Sequence, residues 1–265
     1  MFIHANGIDI HYHRTGGRTG GDGPTVVFAH GLTDNGACWT RLVNDLGSSY
    51  DCIMVDARGH GKTSAPPTGY SFDEQAADLI ALIQALELDR PVIMGHSLGG
   101  AVCSIVAAKA PGLIRAAILE DPAFITAEPN PQRSDWPDRH RASQSLSHAE
   151  LAAQGQANNP LWSPDTFDNW ATAKHEARME IFNALQAIPP DFRRNTANYG
   201  VPVLLITGDD ARGVVVSAAM AAELQALSPK LSVVNVAGAG HCIRYEQPEQ
   251  VAEIVKAFLD EVLGE

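Results

Sequence analysis

The sequence predicts an α/β fold with a mostly parallel central sheet and helices on both of its faces. Three observations carry the prediction. Short apolar runs at 25–29, 52–55, 91–94, 116–119, 203–206 and 231–236 alternate with longer segments of helical periodicity. Strands covered above and below read as such unbroken apolar runs. The run entering Met94 passes almost directly into the small-residue segment 99–110 through Gly95-x-Ser97-x-Gly99, a strand turning at once into a helix. Between 123 and 198 strand-like runs vanish, and Pro, Asn, Gln and three tryptophans appear instead.

Each element has its own reason. Residues 8–12 alternate apolar and polar, the pattern of a half-buried edge strand, and 14–24 is a glycine-rich loop. The run 25–29 is a buried strand ending in His30-Gly31-Leu32-Thr33-Asp34, and 39–46 forms a short helix. The strand 52–55 ends in Asp56-Ala57-Arg58-Gly59-His60-Gly61-Lys62-Thr63-Ser64. Ser71 and Glu74 make a capping box, after which Ala76, Leu79, Ile80, Ile83 and Leu86 line one helical face. The strand 116–119 closes on Glu120-Asp121-Pro122. A helix is expected over 171–185, then a strand at 203–206, a helix over 218–227, a strand at 231–236 and a last helix over 248–263. This divides the chain into a core of 1–122 and 199–265 and a helical insertion at 123–198.

Composition narrows the function. The 265 residues, 45% of them hydrophobic, suit one large α/β domain with room for an insertion. Nineteen Lys and Arg against 31 Asp and Glu give a formal charge of −12, which repels phosphate backbones and argues against nucleic acid as a partner. Cys38, Cys52, Cys103 and Cys242 show no metal-ligand spacing, and Cys52 and Cys103 lie in apolar segments as small core residues. No signal-peptide pattern follows Met1, and no apolar run is long enough to span a bilayer. The expectation is a cytoplasmic protein with reduced thiols, no metal and no membrane partner. No feature fixes an oligomeric state.

The strand-to-helix hinge points to chemistry. A turn this sharp strains its middle residue and crowds the positions two away, so glycines at 95 and 99 leave Ser97 on an exposed elbow above a helix N-terminus. A serine hydroxyl needs a base, and histidine is the usual one near neutral pH. His241, in Gly238-Ala239-Gly240-His241-Cys242 after the last strand, is placed to approach the elbow. His96 should turn into the helix–sheet packing, His30 and His60 should make structural hydrogen bonds, and His140, His148 and His175 should be solvated. A developing oxyanion needs backbone N–H donors, which Leu98 and Leu32 can supply.

These pieces together resemble an α/β-hydrolase-fold serine hydrolase. The resemblance rests on His30-Gly31, Asp56-x-Arg58-Gly59-x-Gly61-x-Ser64, the Gly95-His96-Ser97-Leu98-Gly99-Gly100 elbow and Gly240-His241. It implies Ser97 as nucleophile, His241 as base, hydrolysis through an acyl-enzyme without a cofactor, and a helical cap where the insertion sits. The orienting acid is open at this point. Many such hydrolases carry it three residues after a glycine following the strand 203–206, but there this chain has Gly208-Asp209-Asp210-Ala211. In others, haloalkane dehalogenases among them, it follows the preceding strand, which here ends at Asp121. Asp121 is favoured, Asp209 is the alternative, and Asp210 and Glu120 stand behind them.

Serine at the elbow favours a small-molecule ester or lactone as substrate. A carbon–carbon bond hydrolase or a perhydrolase would use the same three residues, and a slow-turnover ligand receptor is the reading of another class. Trp136, Trp162 and Trp170 are candidate substrate-binding residues in the insertion, or else its packing core. Arg244 would bind an acidic substrate group or pair with a surface carboxylate.

Overall fold

The computed structural model describes residues 1–16, 23–125 and 134–264. Part of the expected loop 14–24 therefore lies outside the described residues. Eight strands form one sheet: β1 (Phe2–Ala5), β2 (Ile8–Arg14), β3 (Thr25–Ala29), β4 (Asp51–Val55), β5 (Val92–His96), β6 (Ala116–Glu120), β7 (Val203–Thr207) and β8 (Leu231–Asn235), in the order β1-β2-β4-β3-β5-β6-β7-β8. β2 runs antiparallel to β1 and β4, and every pairing from β4 to β8 is parallel.

The helices divide between the two faces. Val27 and Ile53 pack with residues of α2 (Phe72–Ala85) and α3 (Leu98–Lys109). Val26, Phe28 and Met94 pack on the other face with α1 (Thr40–Leu46) and the later helix Pro248–Leu263. Successive strand residues thus enter opposite cores, which is why the runs carry no polar alternation. The capping box at α2 forms as its sequence requires, with Ser71 and Glu74 each accepting from the other's backbone N–H.

Between β6 and β7 the described residues form α4 (Trp136–Gln144), α5 (His148–Asn158), α6 (Thr166–Glu176), a 3-10 segment (Met179–Gln186) and α7 (Phe192–Ala197), with no strand among them. After β7 come α8 (Ala218–Leu227), the short α9 (Ile243–Glu246) and α10 (Pro248–Leu263).

Two expectations are corrected. The strand 8–12 is not at the edge, because β1 pairs outside it through the turn Asn6-Gly7, whose residues have φ of 50° and 76°. Asn-Gly between short strands is a strong hairpin signal, and here it joins β1 to β2. The helix expected over 171–185 stops at Glu176. Ala177 turns extended, Arg178 N–H donates to Gly59 O at 2.8 Å, and Ile181 and Phe182 pack with Tyr70. Tertiary packing outweighs helical periodicity there.

The chain leaves β3 toward β4 on one side and leaves β5 toward β6 on the other. Such reversals open a crevice at the carboxyl ends of the two strands. His30-Gly31 follows β3 and Ser97 follows β5, so both stand at this crevice.

Candidate active site

Ser97 alone separates β5 from α3, with φ 52° and ψ −114°. A non-glycine residue at such angles costs about 1–3 kcal/mol and persists only where its surroundings force it. Here they do. A Cβ on Gly95 would run into the Gly99 carbonyl, and one on Gly99 into the carbonyls of Ala29 and His30. Only glycine lets β5, α3 and the residues after β3 approach this closely.

His241 lies beyond β8 with Nε2 3.1 Å from Ser97 Oγ and Nδ1 2.6 Å from Asp121 Oδ2. A carboxylate only accepts, so Nδ1 carries the proton and donates it to Asp121. Nε2 is then free to accept from the serine hydroxyl. Asp121 is fully buried and also accepts N–H bonds from Val215 and Val216, each at 2.8 Å. Three donors fix both carboxylate oxygens.

The other carboxylates are committed elsewhere. Asp209 accepts from Gly238 N–H at 2.7 Å, and Asp210 from Ala218 N–H at 2.8 Å. Glu120 accepts from Arg244 through both its backbone N–H (2.8 Å) and its guanidinium (3.1 Å).

Leu98 N–H opens α3, where no intrahelical acceptor exists for it. Leu32 N–H lies in a turn closed by Asp34 N–H on Gly31 O at 3.2 Å. Neither meets an acceptor among the described residues. The rest of that turn is tied down. His60 accepts from Thr33 N–H at 3.4 Å, and Lys174 donates to Thr33 O at 2.9 Å.

His30 donates to Gly31 O and accepts from Ala57 N–H; His60 donates to Arg58 O. Burial, with His30 alongside, pushes the His60 imidazole down to about 3. His96 corrects the expectation that it turns into the helix–sheet packing: it lies beside His241, rings 4.7 Å apart, donates through Nε2 to His241 O at 3.0 Å, and is held by burial well below the ordinary imidazole value. All three are neutral props. His140 corrects the expectation of a solvated residue: it is buried and donates to Ala177 O at 3.1 Å.

Arg244 is corrected too. It pairs with buried rather than surface carboxylates, reaching Glu120 and, at 3.3 Å, Asp34, with its guanidinium 4.3 and 4.4 Å from the rings of Trp39 and Tyr245. Burial opposes ionisation of Asp34, but Lys174 and Arg244 outweigh it and hold its carboxyl below the usual range. Sequence spacing gave no sign of this junction, because its members come from four separate segments.

The three tryptophans are scattered. Trp136 is about one-third exposed at the start of α4; Trp162 stacks on Phe167 and lies tilted against Tyr245; the Trp170 ring lies 4.8 Å from Lys174 Nζ. Among the described residues, His11, His13 and Asp56 come close enough to share a metal ion. Asp56 is already engaged by Gly36 N–H, Lys62 N–H and His11, organising the loop after β4. No helix among the described residues is long and apolar enough to cross a membrane, and all four cysteines are free.

A mostly parallel sheet with a serine elbow at its switch point defines a hydrolase of the α/β class. The chain belongs to the alpha/beta hydrolase family, whose model it matches over residues 26–254. It is 29% identical over 257 residues to 2-(acetamidomethylene)succinate hydrolase of Mesorhizobium japonicum, covering 92% of this chain and 90% of that one. It is 29% identical over 271 residues to N-formylmaleamate deformylase of Pseudomonas putida, covering 98% and 96%. The crystal structure of E-2-(acetamidomethylene)succinate hydrolase superposes with a TM-score of 0.81 at 27% identity, over 98% of this chain and all of that one.

Proposed function

We propose that this hydrolase cleaves a small carboxylic ester or lactone through an acyl-enzyme, with Ser97 as nucleophile, His241 as general base and Asp121 as the orienting acid. One observation carries the reading: the continuous contact from Ser97 Oγ to His241 Nε2 to Asp121, at 3.1 and 2.6 Å.

In this reading Ser97 Oγ attacks the carbonyl carbon as its proton passes to Nε2. Charge moves to the carbonyl oxygen, where the N–H groups of Leu32 and Leu98 receive it. Asp121 stabilises the imidazolium and keeps the ring in one tautomer. Collapse expels the alkoxide, which takes the proton from His241. Water, deprotonated by His241, then releases the carboxylic acid and restores Ser97. These groups supply proton transfer and charge stabilisation without a cofactor. The segment 123–198 serves as a helical cap over the crevice, and Trp136, Trp162 and Trp170 are its candidate substrate contacts.

A second reading has specific support. The two relatives are named for a deformylase acting on N-formylmaleamate and a hydrolase acting on 2-(acetamidomethylene)succinate. The same steps apply to an N-acyl bond, with nitrogen as the leaving atom.

The test is a fluorophosphonate serine reagent together with a panel of p-nitrophenyl esters, lactones and N-acyl compounds. The reagent is expected to label Ser97, and Ser97→Ala to lose labelling and about three or more orders of magnitude in turnover while staying folded. Labelling at a different serine removes the mechanism. A single stoichiometric burst without multiple turnover on any substrate favours a receptor over an enzyme.

A further inference from the structure

The turn carrying Leu32 N–H has a weakness. Thr33, its third residue, has φ 67°. That is the left-handed region, unfavourable for a β-branched side chain. Nothing about the sequence Gly31-Leu32-Thr33-Asp34 makes this conformation preferred, so contacts from outside must hold it. One is the long bond from Thr33 N–H to His60. The others come from α6, a helix far away in sequence. Lys174 Nζ donates to Thr33 O at 2.9 Å and lies 3.5 Å from Asp34 Oδ1. Two more α6 residues grip the next position: Asn35 donates to Glu176 at 3.0 Å and accepts from Asn169 at 3.2 Å. Asp34 turns its second oxygen to Arg244, three residues beyond His241.

The Lys174 ammonium is mostly buried, and its charge is matched by Asp34. It is therefore committed to this turn rather than to solvent. We propose that Lys174 is a positioning residue, which holds the Gly31–Asp34 turn in its strained form and thereby aims Leu32 N–H at the developing oxyanion. This rests on the reading of Leu32 as an oxyanion donor. Without Lys174, Thr33 O loses the donor that holds it, and the remaining contacts restrain Thr33 at positive φ less tightly. The peptide that carries Leu32 O and Thr33 N–H then rotates, and the Gly31–Leu32 peptide, which carries the Leu32 donor, follows it off line while Leu98, fixed by α3, stays.

The experiment compares wild type with Lys174→Met, Lys174→Arg and the double variant Lys174→Met/Thr33→Gly. Hydrogen exchange of the 30–35 backbone is measured alongside kcat and KM on the best p-nitrophenyl ester. Complete loss of an oxyanion donor costs 10²–10³ in rate, so a displaced one is expected to lower kcat about tenfold, with KM within about twofold. Lys174→Arg should keep most of the activity. Glycine adopts positive φ without strain, so Thr33→Gly should restore most of kcat to Lys174→Met. Exchange over 30–35 should quicken in Lys174→Met and slow again in the double variant. Unchanged exchange in Lys174→Met overturns the proposal whatever the activity does, and so does a change confined to KM. If the serine reagent fails to label Ser97 in the wild type, the hydrolase mechanism falls, while the exchange data still decide what Lys174 does to the turn.

Discussion

Ser97 and Asp121 share an unusual trait: both are non-glycine residues at positive φ, 52° and 35°, directly after neighbouring strands β5 and β6. Each is held there by backbone. Gly99 N–H bonds to His30 O beside the elbow, and the Val215 and Val216 N–H groups grip the Asp121 carboxylate. Three N–H donors around it suit a carboxylate rather than an amide at 121. Asparagine would turn an NH2 toward a backbone N–H or toward His241 Nδ1–H, and one pair would clash. Asp121→Asn is accordingly expected to retain the fold and lose about two to four orders of magnitude in kcat. Asp209→Asn keeps a side-chain oxygen able to accept from Gly238 N–H and should cost at most a few-fold. Steady-state kinetics of the two variants side by side decide between them, and the reverse ranking would move the acid role to Asp209.

At the scale of elements, the elbow and the helix caps show what local sequence controls. A methyl group on Gly99 meets backbone carbonyls that cannot move without shifting β3, so Gly99→Ala should destabilise the fold by about 1–3 kcal/mol and disturb Ser97 as well. Ser71→Ala is a useful contrast. It removes one half of a capping box and no bond to Ser97, His241 or Asp121, so it should cost about 1 kcal/mol, visible as a Tm lowered by about 2–4 °C, with kcat/KM unchanged. Thermal melts and kinetics on both variants separate the two effects. Equal activity losses would mean that α2 communicates with the elbow. The two departures from expectation have different causes: β1 pairs with its neighbour β2 through the local Asn6-Gly7 turn, whereas α6 ends where Arg178 reaches the distant Gly59.

The whole molecule carries its neutral histidines as an acid-sensitive feature. Burial holds His30, His96 and His140 below the ordinary imidazole value and His60 at about 3. The unfolded chain binds protons at these sites from about pH 6.5 downward while the folded chain does not. Protons therefore favour unfolding through that window, and stability falls as pH drops from about 6.5 toward 3. Each such group contributes up to ~1.4 kcal/mol per pH unit. Asp34 and Asp56, whose carboxyls are held below their usual values, add to the loss only under about pH 4. Urea titrations at pH 7.5, 6 and 5 should show a steady decline in unfolding free energy. A flat profile over that range would contradict neutral burial of these rings.

The sequence by itself determined the sheet-and-helix rhythm, the elbow glycines, the capping box and the placing of Ser97, Asp121 and His241 at strand ends. All of these follow from periodicity and backbone sterics within a few residues. It offered four acidic residues near the right strand ends, and only the tertiary structure brings one of them onto His241. It also hid the junction of Asp34, Glu120, Lys174 and Arg244. Arg244 stands three places beyond His241 and Lys174 within a helix, and nothing beside either in the sequence names its partner. Their partners lie 124 to 210 residues away in sequence. Hydrogen bonds and buried ion pairs act over a few ångströms, so no local pattern can announce which distant segments will meet. That decision belongs to the packing of the two faces of the sheet.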